Sequence, residues 1–458
     1  MCQTWPAGLR SNALKIVSPV SIFTSPQVGS GREWGWARPS TLFAMSLVLV
    51  SLSLASAASV SLAQAKVPPA ILVGATISLT GPFSSEVAPL RKMMETWAQM
   101  VNAKGGILLE QYGKKLPLKF VIYDDTSKPA ISEHLYERLV TQDKVHLLLG
   151  PFSSPITMAA STIAEKHQIP FIATAANATP AFTRGFKWMV GVEDDGSKWS
   201  DHYFDMLKSE GRAKTIAFVI EDTPHPREVG FGAIPKSKEI GLRVVLEEYF
   251  QVTNPDFTVA ITKIKAANPD IVYVAAYPPS AVPFYRQAIL HGVNPREFHF
   301  IHHGAGFREG SGGRNANLVV GENYWMPGVR GGPNVGEFDE LLWKTGIKVE
   351  AFPWAAIYFF ALEALRAALE RAGTLDHELV LTALRNTDIQ TIAGRLRFYK
   401  KGQNRNPNAA WQGTLNPFPT QIQGEELTGL DFGQYVTLWP PSFATGAHIY
   451  PRPGSTSH

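Results

Sequence analysis

Two adjacent serines, Ser153 and Ser154, stand where a short apolar run gives way to a helix-forming pattern. The apolar run is Val145–Leu149, which has strand character, and Pro155 follows the serines directly. A serine at the cap and a proline at the first helical position are typical of a helix start. A helix start presents unpaired N–H groups and a partial positive charge, and the hydroxyls add donors. We therefore expect this segment to bind a small anionic group such as a carboxylate; the alternative is that Ser154 only caps its helix.

A second polar loop, Thr174–Thr179, follows the next apolar run, Phe171–Ala173. The stretch from Val145 to Thr179 thus has the pattern of one strand–helix–strand unit, which usually takes roughly 30 residues. In a parallel sheet, ligands bind beyond the carboxyl ends of the strands. The two serines and the second loop both lie at such ends, so we expect them to face the same ligand.

The first 65 residues have the features of an export signal. Leu42–Leu54 is an apolar run with Arg32 and Arg38 upstream, and Ala63-Gln64-Ala65 is a small-residue cleavage motif. We predict a secretory signal peptide that is cleaved near Ala65 and leaves the protein in the periplasm. A membrane anchor is the alternative, but serines interrupt the apolar run, and about 20 apolar residues are needed to span a bilayer.

Composition argues against several classes of function. Without the leader, Lys and Arg fall from 43 to 39 and Asp and Glu from 39 to 38, so the chain is nearly neutral and carries no basic footprint for nucleic acid. The single cysteine, Cys2, lies in the leader, so no disulfide, thiolate metal site or lipid anchor is expected. The 393 residues left of 458 fit two domains better than one.

Strand and helix patterns alternate through most of the chain. Ala70–Ile77 is the first strand-like run, and a second series of alternating elements occupies residues 190–301. This order predicts an α/β fold of two units, each a mostly parallel sheet flanked by helices. Further along, Phe352–Ala372 is expected to form a long buried helix. Ile392–Tyr399 and Gln434–Trp439 are strand candidates, and the last residues, Arg452–His458, are expected to fray.

Five motifs follow one another in an order that is similar to a known family. They are Leu79-Thr80-Gly81-Pro82, Asn102–Ile107, Tyr123-Asp124-Asp125, Gly150–Ser154 and Ile169–Thr179. Over nearly all of residues 68–400, the chain resembles the leucine/isoleucine/valine-binding (branched-chain amino acid) type of periplasmic solute-binding protein. These proteins form the type I group that serves ABC importers.

The resemblance implies a two-lobed fold in which three hinge crossings join two mostly parallel sheets, with the ligand in the cleft. The crossings are expected near Val190–Glu193, Val319–Trp325 and Thr391–Leu396. Lobe 1 would comprise residues 66–190 and 325–391, and lobe 2 residues 191–324 and 392–458. The resemblance further implies a monomer that delivers a small molecule to an ABC permease, with no cofactor, no metal and no catalytic residue.

The family's ligand-binding positions can be carried over one residue at a time. The carboxylate-binding serine corresponds to Ser154, with Ser153 beside it. The loop that binds the carboxylate and ammonium groups corresponds to Ala176, Asn177 and Ala178, where Ala178 replaces a family threonine. The remaining positions assigned to the ligand are Tyr277 after a strand of the second lobe, Phe352 at the start of the long helix, His225, His303 and the apolar Phe83.

One departure from the family pattern bears on the ligand. The acid that binds the ammonium group of an amino acid falls at about Gly304, and the neighbouring His303 is a poor partner for an ammonium. A buried ammonium without a partner is costly. We therefore expect a small carboxylate or amide, aromatic or not. Branched-chain amino acids are the alternative if Glu86 or Glu193 reaches the cleft.

Two other classes of function stay open at this point. For an enzyme, the chain has no G-x-S-x-G elbow, P-loop or dinucleotide fingerprint. Asp124 and Asp125 could form an acid pair, although a turn with a helix cap is the simpler interpretation. His299, His302 and His303 could bind a metal ion. A sensor for a membrane receptor would share the two-lobed fold.

Overall fold

The computed structural model describes residues 67–253, 256–348, 352–424 and 434–455. The predicted signal peptide and its cleavage point lie outside these ranges. Within these ranges, no helix has both the length and the apolar character that a membrane crossing demands.

A six-stranded sheet forms the centre of the first lobe. In spatial order its strands are β15 (Gln412–Leu415), β7 (Met189–Glu193), β6 (Phe171–Ala173), β5 (Leu147–Leu149), β1 (Ile71–Ile77) and β4 (Leu118–Asp124). All neighbouring strands are parallel. Parallel neighbours need crossover connections on the faces of the sheet, which is why a central strand such as β5 is apolar and buried at every position.

Helices flank this sheet. They are α1 (Ser84–Val87), α2 (Leu90–Ala103), α3 (Pro129–Thr141), α4 (Ser154–His167), α5 (Thr179–Phe182), α11 (Val335–Thr345), α12 (Trp354–Ala372) and α13 (His377–Arg385). Helix α12 is buried along most of its length and ends at Gly373, where a φ of 62° suits glycine. Two small hairpins contact α12: β2–β3 (Ile107–Leu109 and Lys114–Leu116) and β13–β14 (Asp388–Thr391 and Gly394–Arg397).

A seven-stranded sheet forms the centre of the second lobe. In spatial order its strands are β17 (Gln434–Thr437), β16 (Phe418–Gln423), β12 (Val320–Asn323), β11 (Glu297–Phe300), β10 (Ile271–Ala275), β8 (Thr215–Glu221) and β9 (Arg243–Phe250). The strands from β12 to β9 are parallel, and β16 and β17 add an antiparallel edge. The helices of this lobe are α6 (Asp201–Glu210), α7 (Pro224–Glu239), α8 (Thr258–Ala267), α9 (Pro278–Leu290) and α10 (Ala305–Gly310).

The chain passes between the sheets after β7, after β12 and between β15 and β16. The third passage corrects a prediction, because the sequence analysis placed a crossing at Thr391–Leu396 and everything beyond it in lobe 2. That segment instead lies within the β13–β14 hairpin, and β15 pairs with β7 on the first sheet. Strand β7 would otherwise be an edge with unpaired backbone groups, and Gly191 N–H donates to Trp411 O at 2.9 Å just before β15.

The carboxyl-terminal segment is held on the second lobe. Arg452 N–H donates to Arg296 O at 2.9 Å. The His448 ring contacts Glu210 at 2.9 Å through Nδ1 and Glu297 at 2.7 Å through Nε2. The expectation that Arg452–His458 fray is therefore wrong up to residue 455, because the backbone of this part is hydrogen-bonded to the second lobe, at Arg452 N–H and at Gly454 O, which accepts from Asn294 Nδ2 at 2.7 Å; residues 456–458 lie outside the described part.

Candidate functional site

The amino terminus of α4 carries the two serines at the centre of the sequence analysis. Ser153, not Ser154, occupies the cap position, with φ 76° and ψ 145° and no side-chain hydrogen bond to the helix. Its hydroxyl is buried and has no hydrogen-bond partner among the described residues. The Ser154 hydroxyl accepts from Ala178 N–H at 3.3 Å. The capping alternative for Ser154 is thus wrong, and a strained residue presents a buried free hydroxyl at a helix start.

The second polar loop lies against the first. A parallel bridge between Phe152 and Ala175 brings them together beyond the ends of β5 and β6. Asn177 and its neighbours Ala176 and Ala178 are buried there. The predicted convergence of the two loops therefore exists, and the polar side chain it contributes is that of Asn177.

Tyr277 brings the second lobe to this point. It lies between β10 and α9, and its backbone N–H donates to Glu221 Oε2 at 3.1 Å. Burial raises the pKa of the Tyr277 phenol well above its ordinary value, while the backbone N–H of Ser154, which hydrogen-bonds the phenol oxygen, opposes that rise. The Tyr277 hydroxyl oxygen of the second lobe thus accepts a hydrogen bond from Ser154 N–H at the start of α4 in the first lobe. An anionic oxygen would be favoured in this position.

Aromatic rings form the walls of the site. Phe152 lies 4.8 Å from Trp354 and 6.1 Å from Tyr277, measured between ring centroids. Phe83 packs 5.3 Å from Phe152 and 5.2 Å from Tyr277. On the side of the second lobe, the Trp199 ring lies close to two histidines, His225 and His302. Offset and edge-to-face arrangements of this kind favour a planar or apolar guest.

The two histidines are His225, in the first turn of α7, and His302, just after β11. Their ring planes are nearly parallel, at 11°, with 5.2 Å between the centroids and 3.2 Å between the two Nε2 atoms. Nδ1 of His225 lies 2.6 Å from Oδ1 of Asn177. Burial lowers the pKa of His225 to about 3 and that of His302 well below its ordinary value. Both rings are therefore neutral at physiological pH.

Two buried carboxyl groups lie at or beside the site. Burial raises the pKa of Glu193 to about 8, against the opposing hydrogen bonds from the Tyr324 hydroxyl at 2.7 Å and from Ala176 N–H. Burial likewise raises the pKa of Glu86 to about 7, although Trp354 Nε1 and the backbone N–H of Gly306 each donate to it at 3.1 Å. Gly306 belongs to the second lobe, so Glu86 joins the lobes.

These groups enclose a cavity between the lobes with a volume of about 10 Å³. It is lined by Phe152, Ser154, Ala175, Asn177, Glu193, Trp199, His225, Tyr277, His302 and Trp354. A space of this size holds about one water molecule. A guest the size of an amino acid can enter only if the lobes or their side chains move apart.

The structure places the ten predicted site residues in three groups. Ser154, Asn177, His225 and Tyr277 line the cavity. Four others lie directly beside it: Phe83 against two of its aromatic rings, and Ser153, Ala176 and Ala178 in the two loops.

The other two, Phe352 and His303, do not line the cavity. Phe352 is half-buried just before α12, and Trp354, the first residue of the helix, lines the cavity instead. Nε2 of His303 lies 3.0 Å from the Thr420 hydroxyl within the second lobe. Successive side chains leaving a strand point to opposite sides, so His302 takes the place expected of His303.

Five cavity residues were not predicted from the sequence, and Glu193 was considered only as an alternative; the five are Phe152, Ala175, Trp199, His302 and Trp354. His302 belonged to the His299, His302 and His303 set that was weighed as a metal site. The described residues contain no group of three or more His, Cys, Asp or Glu side chains in a metal-binding arrangement.

The possible acid pair has a structural role. Asp125 is buried and accepts from the Thr76 hydroxyl at 2.7 Å and from the Ser78 hydroxyl at 2.6 Å. Asp124 accepts from the backbone N–H groups of the turn that follows β1. Both carboxylates thus hold loops in place, as the turn interpretation expected. The expected helix cap is wrong, because the cap residue of α3 is Lys128.

A larger groove of about 710 Å³ lies on α7, beside the exposed ring of Phe231. Its three cations already have acidic partners: Lys236 with Asp205 at 3.3 Å, Lys238 with Glu247 at 3.4 Å, and Arg405 with Asp201 at 2.8 Å. The groove therefore offers an apolar surface without a free charged group to orient a ligand, and the interlobe cavity is the better candidate.

Comparison with known proteins agrees with this geometry. A family model described as "Periplasmic binding protein" matches residues 70–416. The Leu/Ile/Val-binding protein homolog 1 of Brucella melitensis is 28% identical over 352 residues, which cover 74% of this chain and 88% of that protein.

Solved structures share the fold at low sequence identity. The branched-chain amino acid transporter substrate binding protein of Streptococcus pneumoniae, in complex with isoleucine, has a TM-score of 0.66 at 19% identity and covers 81% of this chain and 100% of that one. A solute binding protein of an ABC transporter from Rhodopseudomonas palustris, in complex with 3,4-dihydroxy benzoic acid, has a TM-score of 0.65 at 18% identity and covers 84% and 99%.

Proposed function

The chain belongs to the periplasmic binding protein family, and from this premise we propose that it is the extracytoplasmic solute-binding component of an ABC importer. Its ligand is a small carboxylate or amide, captured between the two lobes by hinge closure. The names of its relatives, which include binding proteins for amino acids and for an aromatic acid, support an importer role. The family is one of binding proteins, so capture rather than catalysis is the proposed activity.

Location and partners form part of the same proposal. Export through a signal peptide cleaved near Ala65 would place the protein in the periplasm. There it would act as a monomer and pass its ligand to a membrane permease. Each lobe would comprise one of the two sheets with its helices.

The observation that carries the proposal is the helix start at Ser153 and Ser154, which lies in the cleft. Its N–H groups and partial positive charge favour an anionic oxygen, and the free hydroxyl of Ser153 supplies another donor. The Tyr277 oxygen already accepts from Ser154 N–H. A carboxylate oxygen is a stronger acceptor than a phenol and would take this position when the lobes part.

The acids near the cavity favour a ligand without an ammonium group. Glu193 is the one carboxyl group among the residues that line it, and a pKa of about 8 leaves it mostly protonated at neutral pH. Its oxygens already accept from Tyr324 and Ala176. The aromatic walls suit a planar ligand. We therefore propose an aromatic carboxylate or amide first, with branched-chain amino acids as the second candidate because of the relatives' names.

Closure would be the functional event. Contacts across the cleft already include the hydrogen bond from Gly306 N–H to Glu86 and the packing of Tyr277 on Phe83 and Phe152. The cavity of about 10 Å³ is too small for a benzoate-sized guest. Entry thus requires an open form, and contacts to both lobes would draw the protein closed again.

Isothermal titration calorimetry tests the ligand class with benzoate, benzamide, leucine and valine as probes. We expect benzoate or benzamide to bind more tightly than either amino acid. Ser154→Ala removes a hydroxyl that would donate to the carboxylate, so benzoate binding should weaken roughly tenfold or more. Ser161→Ala is the matched control, because this buried serine lies two turns further along α4, does not line the cavity, and contacts Thr157 O at 2.7 Å and Arg184 Nη2 at 2.6 Å.

Two results would contradict the proposal. Tight binding of leucine or valine with no response to benzoate or benzamide would overturn the ligand class. Equal loss of affinity in the Ser154 and Ser161 variants would show that the helix start is not the binding position. Hydrolysis of benzamide would instead reveal an enzyme.

A further inference from the structure

The histidine pair fixes where its protons lie. Oδ1 of Asn177 can only accept a hydrogen bond, so the Nδ1 of His225 that faces it at 2.6 Å must carry a proton. Burial keeps His225 neutral, with a pKa of about 3. Its Nε2 is therefore a bare lone pair.

The tautomer of His302 follows from that of His225. The two Nε2 atoms are 3.2 Å apart, and one of them must donate. Since that of His225 has no proton, Nε2 of His302 carries one. The neutral His302 ring can hold only one proton, so its Nδ1 is a bare acceptor.

This acceptor is buried and unpaired. Nδ1 of His302 has no hydrogen-bond partner within the described ranges, and the residue is only 3% exposed. His302 lines the interlobe cavity, between the rings of Tyr277 at 5.1 Å and Trp354 at 4.9 Å. A buried acceptor without a donor is unfavourable, so a guest that supplies a donor gains more than one that does not.

We propose that His302 selects ligands that carry a hydroxyl group, which donates to its Nδ1 while the carboxylate lies at the start of α4. The ligand class is then a hydroxy-substituted aromatic carboxylate. This inference rests on the proposed function and adds the group that is recognised at the other end of the ligand. His225 and Asn177 act as positioning residues, because they hold His302 in the tautomer that accepts.

The pair favours a hydroxyl over an ammonium on physical grounds. A neutral imidazole supplies one lone pair and no negative charge, whereas a buried ammonium needs charge compensation and several acceptors. A site that hydrogen-bonds a substrate hydroxyl also strongly rejects an analogue without that hydroxyl. This discrimination is far larger than the discrimination by size that an apolar pocket achieves. The fixed tautomers of His225 and His302 thus make the cleft selective between ligands of nearly equal shape.

Calorimetry with benzoate, 4-methoxybenzoate and the 2-, 3- and 4-hydroxybenzoates tests the inference on the full exported protein. At least one hydroxybenzoate should bind roughly ten- to a hundredfold more tightly than benzoate. In His302→Phe, that preference should fall to about threefold or less while benzoate still binds, because phenylalanine keeps the ring and removes the acceptor. His302→Asn returns an oxygen acceptor close to the place of Nδ1 and should restore part of the preference.

Ser154→Ala separates this inference from the proposed function. It should weaken benzoate and the best hydroxybenzoate by the same factor and leave their ratio unchanged. Binding of all five acids within threefold of one another by the unmodified protein would overturn the selectivity of His302 and leave the carboxylate site standing. Binding of leucine and of none of the acids would overturn both.

Histidine ¹⁵N chemical shifts give a readout that does not depend on affinity. The His302 signal should show a protonated Nε2 and a bare Nδ1, and a hydroxybenzoate should shift Nδ1 in the direction of a hydrogen-bonded acceptor, whereas benzoate should not. A protonated Nδ1 would overturn the inference.

Discussion

His448 offers a test of whether the buried ionic contact at the carboxyl terminus stabilises the fold. Its ring lies between Glu210 and Glu297, at 2.9 Å and 2.7 Å, and its side chain is 3% exposed. Burial alone would lower the pKa of His448, but the charges of Glu297 and Glu210 and their hydrogen bonds raise it from 6.5 to about 9. The charged ring is thus favoured in the folded state.

The size of the effect follows from that shift. Each unit of pKa difference between the folded and unfolded states is worth about 1.4 kcal/mol, so a rise of about 2.5 units corresponds to about 3 kcal/mol. Because the folded pKa is the higher one, this contribution is complete below about pH 6.5. It declines as the pH rises and is nearly gone above about pH 9.

Urea denaturation at pH 6 and pH 9.5 measures this contribution of His448 to the free energy of unfolding. His448→Gln should lower the free energy of unfolding by about 3 kcal/mol at pH 6 and by less than about 1 kcal/mol at pH 9.5. His134→Gln, at an exposed position on α3, is the control and should change little at either pH. A loss in His448→Gln of the same size at both pH values would refute the reasoning, because it would come from packing and not from the charge.

Two further predictions concern the cleft. Gly306→Ala should weaken ligand binding at least tenfold by calorimetry, because a Cβ there would lie 2.1 Å from the Glu86 Oε1 across the closed cleft. Gly336→Ala is the control and should not weaken binding, because its Cβ would meet no atom within 4 Å. Equal effects of the two substitutions would argue against closure. Glu193→Gln should leave benzoate affinity within about threefold at pH 7, because Glu193 has a pKa of about 8 and is already mostly neutral; a larger loss would indicate that an ionised Glu193 takes part in binding.

Local sequence signals were sufficient to predict the strand–helix–strand unit that holds the two serines. The apolar run before Gly150, the Ser-Pro step and the run after Pro170 each have a local physical cause, and the structure has β5, α4 and β6 in these places. The same signals allowed a capping role for Ser154, whereas Ser153 occupies the cap position. A cap position depends on backbone dihedrals, and the sequence does not indicate the positive φ of Ser153.

Non-local features of the fold were harder to predict from the sequence. Sheet membership of Gln412–Leu415 depends on which edge strand remains unpaired, and the four residues do not encode that. The β13–β14 hairpin was read as one strand, Ile392–Tyr399, because its first strand is mostly polar. Helix α12 was predicted almost in full, because a long apolar pattern that ends at Gly373 is a strong local signal.

In the site, the errors are shifts of one or two residues. Phe352 was chosen over Trp354, and His303 over His302, because family positions were transferred without knowledge of where the helix begins or which side of the sheet each residue faces. Such shifts move a side chain from the cleft into the lobe. They changed the chemistry of the site, because the buried, unpartnered Nδ1 of His302 belongs to a residue that lines the cavity, whereas that of His303 belongs to a residue that does not.

A crystal structure of the protein with bound benzoate tests the central claim most directly. The account predicts one carboxylate oxygen within about 3.2 Å of both the Ser154 hydroxyl and its backbone N–H, with the Tyr277 hydroxyl displaced from that N–H and the ring between the aromatic walls. Benzoate bound with its carboxylate directed at His302, or bound in the groove on α7 instead of the cleft, would contradict it.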